Sequence, residues 1–182
     1  MIDFKMLING KLVNAVSGKT YPVINPATED IVTKLPLGGE EEVNIAVKAA
    51  KDAFPVWSKI PTAERCRMVK ELAQKIRENA DELGRLDTLD HGTPSKMAFF
   101  MAMGSAANLD FAADTARTMM SEMIPASGNT LTYTRKEPVG VVALITPWNA
   151  PLMMICDKLG AILATGNTCV IKPPSIDSLA AL

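Results

Sequence analysis

At 182 residues, 48% of them hydrophobic, the chain can bury one domain-sized core, and its formal charge of −1 comes without a basic stripe, which argues against nucleic acid as a partner. No apolar run approaches the ~18 residues of a membrane span, so no membrane partner is expected, and the start Met1-Ile2-Asp3-Phe4-Lys5 is not that of a secretory leader. Three cysteines without Cys-x-x-Cys spacing point to reduced thiols in a cytoplasmic setting, and a single histidine, His91, excludes a His-rich cluster, so no metal site is expected.

Asn9-Gly10 within Met6 to Val13 is a strong two-residue hairpin signal. Ser17-Gly18 and Asn25-Pro26-Ala27-Thr28 mark turns on either side of Tyr21 to Ile24, with Ile31 to Leu35 beyond, so the chain up to Pro36 reads as a small antiparallel meander. Helical patterns follow. Glu40, Glu41 and Glu42 put negative charge on a first turn, with Val43, Ala46, Val47, Ala50 and Phe54 on one face until Pro55 ends the pattern. Thr62 is the expected cap of a second helix burying Met68, Val69, Leu72 and Ile76. Asn79 and Glu82 have capping-box spacing for a third helix, with Leu83, Leu86 and Leu89 inward and Gly92 closing it.

Thr93-Pro94 opens a longer helical stretch toward Met120. Its Met97, Phe99, Phe100, Met101, Met103, Leu109 and Phe111 leave no polar face, so burial all round is expected, with Asp110 and Asp114 capping or bridging to neighbours. The methionines read as core filler, and Gly104 to Ala107 as a point of close backbone approach. From Ile124 to Lys136 a turn at Pro125, Ser127, Gly128 and Asn129 precedes a half-polar strand, in which Leu131, Tyr133 and Arg135 alternate with Thr132, Thr134 and Lys136. Such a hairpin suits a sheet edge or an arm.

The most informative stretch is Glu137 to Ser175, EPVGVVALITPWNAPLMMICDKLGAILATGNTCVIKPPS. Val139 to Ile145 is a β-branched apolar run, the pattern of a strand buried on both faces, and it stops at Thr146-Pro147. Pro151 suits a first helical turn, and Leu152, Ile155, Leu159 and Ile162 recur at helical spacing until Gly166-Asn167. Thr168 to Lys172 is a second strand. In such a βαβ unit both strands deliver a loop to the same edge of a parallel sheet, where ligands bind in open α/β folds. Asn149 and Lys172 therefore bring an amide and a cation to one cleft. After Asp177 or Ser178 a helical pattern runs for one turn only, and two parallel strands are too few to cover a sheet, so the chain is expected to be the front part of a longer protein.

The Glu137–Ser175 stretch resembles the aldehyde dehydrogenase superfamily, which reads close to EPVGVV-x-x-x-x-PWN-x-P through KL-x-x-ALA-x-GN-x-x-V-x-K at the same spacing. INGKLV, INPATEDIV, the AAKDAF helix and NADELGRLDTLDHGTP extend the likeness upstream over nearly the whole chain. The resemblance implies an α/β fold, the N-terminal part of the superfamily's architecture. Its components would be an incomplete parallel Rossmann-like sheet with flanking helices, an N-terminal antiparallel meander and a protruding hairpin. Residues 1–117 and 137–182 would form the cofactor-binding domain, and 118–136 the oligomerisation hairpin, pairing through Ile124 to Lys136 with a neighbouring subunit of a homo-oligomer. The domain carrying the nucleophile would be absent.

The implied activity of the parent protein is NAD- or NADP-dependent oxidation of a small-molecule aldehyde to a carboxylic acid. In that mechanism a cysteine thiolate attacks the carbonyl, hydride passes to nicotinamide, and a glutamate-activated water hydrolyses the thioester. Asn149 takes the catalytic role of oxyanion donor, since a neutral amide offers N–H groups without competing as an acid or base. Taken alone, it reads sooner as an Asx-turn residue before Pro151, and its setting within TPWNAP and the resemblance favour the catalytic role. The resemblance assigns Ile145, Thr146, Pro147 and Trp148 to the lining of the cofactor groove and Lys172 to the adenosine ribose; by themselves Trp148 reads as packing and Lys172 as a solvated strand end. Ser175 stands where many members carry an acid that binds the ribose hydroxyls. Without that carboxylate a 2′-phosphate is not repelled, which makes NADP use or dual use plausible.

None of the cysteines stands in the Gly-Gln-x-Cys context of the family's nucleophile. Cys156 lies in an apolar helix, Cys169 in a strand, and Cys66 between Arg65 and Arg67. The glutamate motif is missing too, so the isolated chain is expected to be inert. A non-catalytic truncated module, binding nucleotide weakly or docking onto full-length subunits, is the alternative.

Overall fold

Two antiparallel hairpins lead the chain in the computed structural model, which describes residues 4–182. The first joins β1 (Met6–Ile8) to β2 (Lys11–Val13) through Asn9-Gly10, both at positive φ (51° and 70°), the geometry that dipeptide favours. The second pairs β3 (Thr20–Ile24) with β4 (Ile31–Pro36) across a turn in which Ala27 N–H donates to Asn25 Oδ1 at 2.9 Å. The antiparallel N-terminal segment thus takes the form of two hairpins. A separate turn, with Gly18 N–H donating to the Ala15 carbonyl, lies between them, and β2 does not pair with β3.

α1 (Glu40–Trp57) begins at a glycine that has no side chain to cap with. Glu42 substitutes by folding back, its carboxylate accepting from Gly39 N–H at 2.6 Å and from Val16 N–H at 2.5 Å. These donors hold Glu42 below its ordinary carboxylate range. Pro55 does not end this helix. It lies in the last turn, where its missing N–H forfeits one bond, and Ser58 N–H still reaches the Phe54 carbonyl.

α2 (Thr62–Glu78) starts at Thr62 with Pro61 in the cap position, so Thr62 is a first-turn residue and not the cap. Its Oγ1 accepts instead from Arg65 Nη2 at 3.1 Å. Val69 and Ile76 are buried as expected, while Leu72 is exposed. The capping box expected at α3 (Ala80–His91) is not made either. Asn79 donates its side-chain amide backward to the Lys75 carbonyl (2.8 Å), closing α2, and Glu82 pairs with Arg85. One residue between two helices serves the earlier one. Gly92, at φ 83°, closes α3.

α4 (Ser95–Thr118) departs furthest from expectation. Its buried stripe is Ala98, Ala102, Ser105, Ala106, Leu109, Ala112, Ala113 and Ala116, whereas Met97, Phe100 and Phe111 are exposed. Small residues are selected because α2, α3 and α5 (Pro151–Ala164) all pack against this one helix, and close approach leaves no room for methionine. The tightest approaches lie not at Gly104 but on the facing helices. A Cβ at Gly84 would come 2.9 Å from Phe99 N, and one at Gly160 2.8 Å from Ala112 Cβ. Asp110 and Asp114 bridge as expected, to Arg77 and Lys70.

β5 (Met123–Ile124) and β6 (Thr132–Tyr133) make a short exposed hairpin. The chain then forms β7 (Val141–Ile145), α5 and β8 (Thr168–Lys172), with β7 and β8 parallel in the register Val141↔Thr168 to Ile145↔Lys172. β7 is not covered on both faces: Leu144 is buried, but Ala143 and Ile145 are exposed, because β8 is its sole strand neighbour among the described residues. Asn167 fixes the start of the pair by accepting from Gly140 N–H at 3.1 Å, and Thr168 Oγ1–H donates to the Ala50 carbonyl, tying β8 to α1.

One core cluster joins α2, α4 and α5 through Cys66, Val69, Leu109, Ala113, Cys156 and Ala164. The fully buried Leu109 contributes about 1.5–3 kcal/mol by leaving water. Arg65, itself buried, staples this cluster shut. Its Nε–H donates to the Ala164 carbonyl (3.1 Å), and Nη1 donates to the Ile60 and Ser58 carbonyls. A smaller cluster of Val23, Leu35, Leu86 and Leu179 closes the second hairpin against α3 and the 3-10 turn Leu179–Ala181.

Candidate functional site

The parallel pairing decides where the candidate residues fall. Ile145 and Lys172 are register partners at the carboxyl ends of their strands, and Thr146 N–H donates to the Lys172 carbonyl at 3.4 Å. The Thr146–Ala150 loop and the Pro173–Ser178 segment therefore leave the sheet side by side. α5 begins at the same edge, with Pro151 at its first position and first-turn N–H groups left over for a ligand.

Within this edge the side chains differ in setting. Ile145 is 72% exposed, and Pro147, Asn149, Lys172 and Ser175 are exposed with it. Thr146 is only 5% exposed and its Oγ1 has no hydrogen-bond partner. An orphaned buried hydroxyl, an accessible amide and an accessible ammonium at one strand end form a donor set suited to a polar, anionic ligand with hydroxyl groups. Trp148 is half-exposed and its ring lies 5.7 Å from that of His91 at 49°, which anchors the loop to the end of α3. Two surface hollows elsewhere, along Glu40, Asn44 and Lys48 and beside Cys66, Lys70 and Arg117, do not touch these loops.

The thiols are set for inertness. Cys66 and Cys156 are buried, and burial pushes Cys156 up to about 12. Burial also raises Cys66 and Cys169, and for Cys66 it outweighs the opposing pull of Arg65, Arg117 and Lys70.

A second group of residues escaped the sequence reading. Asp87 and His91 on α3 meet Asp177 from the segment after β8. Burial, reinforced by Asp87 and Asp90, pushes Asp177 up to about 8. Asp90 serves a different end: its Oδ2 accepts from Ser178 N–H (2.7 Å) and Leu179 N–H (2.9 Å). The one-turn spacing of Asp87 and His91 was visible in the sequence, but nothing in it announced Asp177 as their neighbour.

Known proteins give this geometry a family. The profile of the Aldehyde dehydrogenase family matches residues 12–182. Aldehyde dehydrogenase 1A1 of Ovis aries is 39% identical over 182 residues, covering 98% of this chain and 36% of that protein. Among solved structures, the NAD+ complex of aldehyde dehydrogenase from Bacillus cereus superimposes with a TM-score of 0.95 at 42% identity, over 99% of this chain and 37% of that one. An NADP-dependent enzyme of E. coli gives a TM-score of 0.95 at 34% identity, over 98% and 37% of the two chains. The chain thus spans little more than a third of the length of the proteins it matches, with the same α/β architecture throughout that third, and it belongs to the aldehyde dehydrogenase family.

Proposed function

We propose that residues 1–117 and 137–182 are the cofactor-binding part of a cytoplasmic NAD- or NADP-dependent aldehyde dehydrogenase, interrupted by a hairpin, 118–136, that pairs with a neighbouring subunit of a homo-oligomer. The observation that carries this reading is the Ile145↔Lys172 register, which sets the TPWNAP loop beside the KPPS loop at one sheet edge. The relatives bound to NAD+ or dependent on NADP support the choice of cofactor. When bound, the nicotinamide takes up the electron pair and hydrogen lost by the aldehyde carbon.

The chain's own residues hold and polarise. Lys172 donates to the ribose, Thr146 offers its orphaned hydroxyl, and Ser175 accommodates a 2′-phosphate that a carboxylate would repel. Asn149, exposed on its loop, donates amide N–H to the oxygen of the substrate carbonyl as negative charge grows there. That no thiol of this chain is both accessible and easily ionised supports a nucleophile outside these 182 residues and a chain that is inert alone.

Aldehyde-dependent reduction of NAD and NADP tests the proposal. It is measured with the chain alone and with the polypeptide of the uninterrupted reading frame that contains it. The chain is expected to give none. The longer polypeptide is expected to turn over, and Asn149→Ala there should lower kcat on the order of 10²-fold. An unchanged kcat in a folded variant would make Asn149 a turn residue and nothing more.

A further inference from the structure

The end of α3 meets the segment after β8 at a cluster that aldehyde oxidation does not use. One carboxylate oxygen of Asp87, one ring nitrogen of His91 and one carboxylate oxygen of Asp177 all lie within 4.8 Å of one another. Asp177 is 3% exposed, and neither of its oxygens has a hydrogen-bond partner; Oδ2 of Asp87, itself 7% exposed, is in the same condition. Carboxylates that stay buried are as a rule paired with a cation or bound to a metal, because the interior gives back too little of the lost hydration. Among the described residues no donor supplies that compensation.

The surroundings hold the three groups in place. His91 Nδ1 is 2.8 Å from Thr93 Oγ1; with Thr93 accepting, Nε2 keeps its lone pair. Asp90, spent on the N–H groups of Ser178 and Leu179, pins the turn that carries Asp177 inward. Ligands at about 2.0–2.2 Å from one tetrahedral ion stand about 3.3–3.6 Å apart, inside the 4.8 Å within which these three atoms lie.

We propose that Asp87, His91 and Asp177 bind one divalent cation of the Zn2+ or Mn2+ class, which ties the segment following β8 to the end of α3. An imidazole with two carboxylates suits these ions better than Mg2+ or Ca2+, which prefer all-oxygen shells. The site stands beside Trp148 and so beside the candidate loop, but it does not depend on the aldehyde dehydrogenase chemistry.

The test reads binding, not turnover. The 182-residue chain, stripped with chelator, is titrated calorimetrically with ZnCl2, MnCl2 and MgCl2, together with Asp177→Asn and His91→Ala. One equivalent of Zn2+ or Mn2+ is expected to bind the parent, with at least tenfold weaker binding in Asp177→Asn and no saturable uptake of Mg2+. The cation should raise the thermal midpoint of the parent and leave that of the variant unmoved. Should Asp177→Asn fail to fold by circular dichroism, His91→Ala, at the half-buried helix end, carries the same tenfold expectation. Absence of uptake by the parent overturns the proposal, as does uptake that the folded variant retains. So does a cluster that takes up only a proton, seen as a higher midpoint in Asp177→Asn with no cation effect on the parent.

Discussion

Adding a single methyl group at Gly160 tests the packing of α4 on α5 directly. A Cβ there would stand 2.8 Å from Ala112 Cβ and 3.3 Å from both Cα and Cδ2 of Leu109. Carbon atoms attract best at about 3.5–4.0 Å, so the first contact is well inside the repulsive wall. Leu109 is fully buried and Ala112 nearly so; the helices can separate only by loosening Cys156, Ala164, Ala106 and Ala113 in the same cluster. Overpacking of this kind costs about 1–3 kcal/mol, partly offset by the ~1 kcal/mol that alanine gains over glycine inside a helix. Gly104 supplies the control, because a Cβ there meets nothing within 4 Å. Gly104→Ala should stabilise by about 0.5–1 kcal/mol, and the propensity gain cancels between the two variants. The clash alone should therefore leave Gly160→Ala about 1–3 kcal/mol less stable than Gly104→Ala. Urea titrations followed by far-ultraviolet ellipticity measure the difference. Equal stabilities, or a more stable Gly160→Ala, would refute the close approach.

Arg65→Lys keeps the charge but loses the planar fork, stranding some of the Ala164, Ile60 and Ser58 carbonyls; destabilisation of about 2–4 kcal/mol is expected by the same titration. Cys156, buried and pushed up to about 12, holds roughly one part in 10⁴ of thiolate at pH 8, so a thiol-specific reagent should label it far more slowly in the native protein than after denaturation; equal rates would refute its burial. Glu42 is held below its unfolded value of 4.5, so its contribution is complete above that pH and is lost as pH falls through the lowered folded value; Glu42→Gln should lower the thermal midpoint at neutral pH and flatten its decline on the acid side. In the longer polypeptide, Ser175→Glu should move kcat/KM from NADP toward NAD by about 1–3 kcal/mol, or roughly 5- to 150-fold, since a carboxylate would face the 2′-phosphate; an unchanged ratio would remove Ser175 from the ribose.

Much of this chain was decided locally and could be read as such. Asn9-Gly10 dictates its own turn, Gly92 its own helix end, and Pro151 its own first turn, because φ preferences are properties of single residues. The βαβ order from Val141 to Lys172 followed from run length and punctuation, and with it the meeting of the Asn149 and Lys172 loops at one edge. What the sequence left undecided was every choice between rival partners. Asn79 is a good cap for either of two helices and was taken by the earlier one. α4 is apolar around its whole circumference, so periodicity cannot choose its buried face; three helices converging on it chose the alanines and left Phe111 in solvent. Asp177 is the extreme case. Alone it is a polar residue in a turn, and it becomes a buried carboxylate beside Asp87 and His91 only because β8 and α3, distant in sequence, are brought together by the core between them. Local conformation is set by energies each residue carries with it, whereas burial and charge environment depend on which distant surfaces the packed core brings into contact.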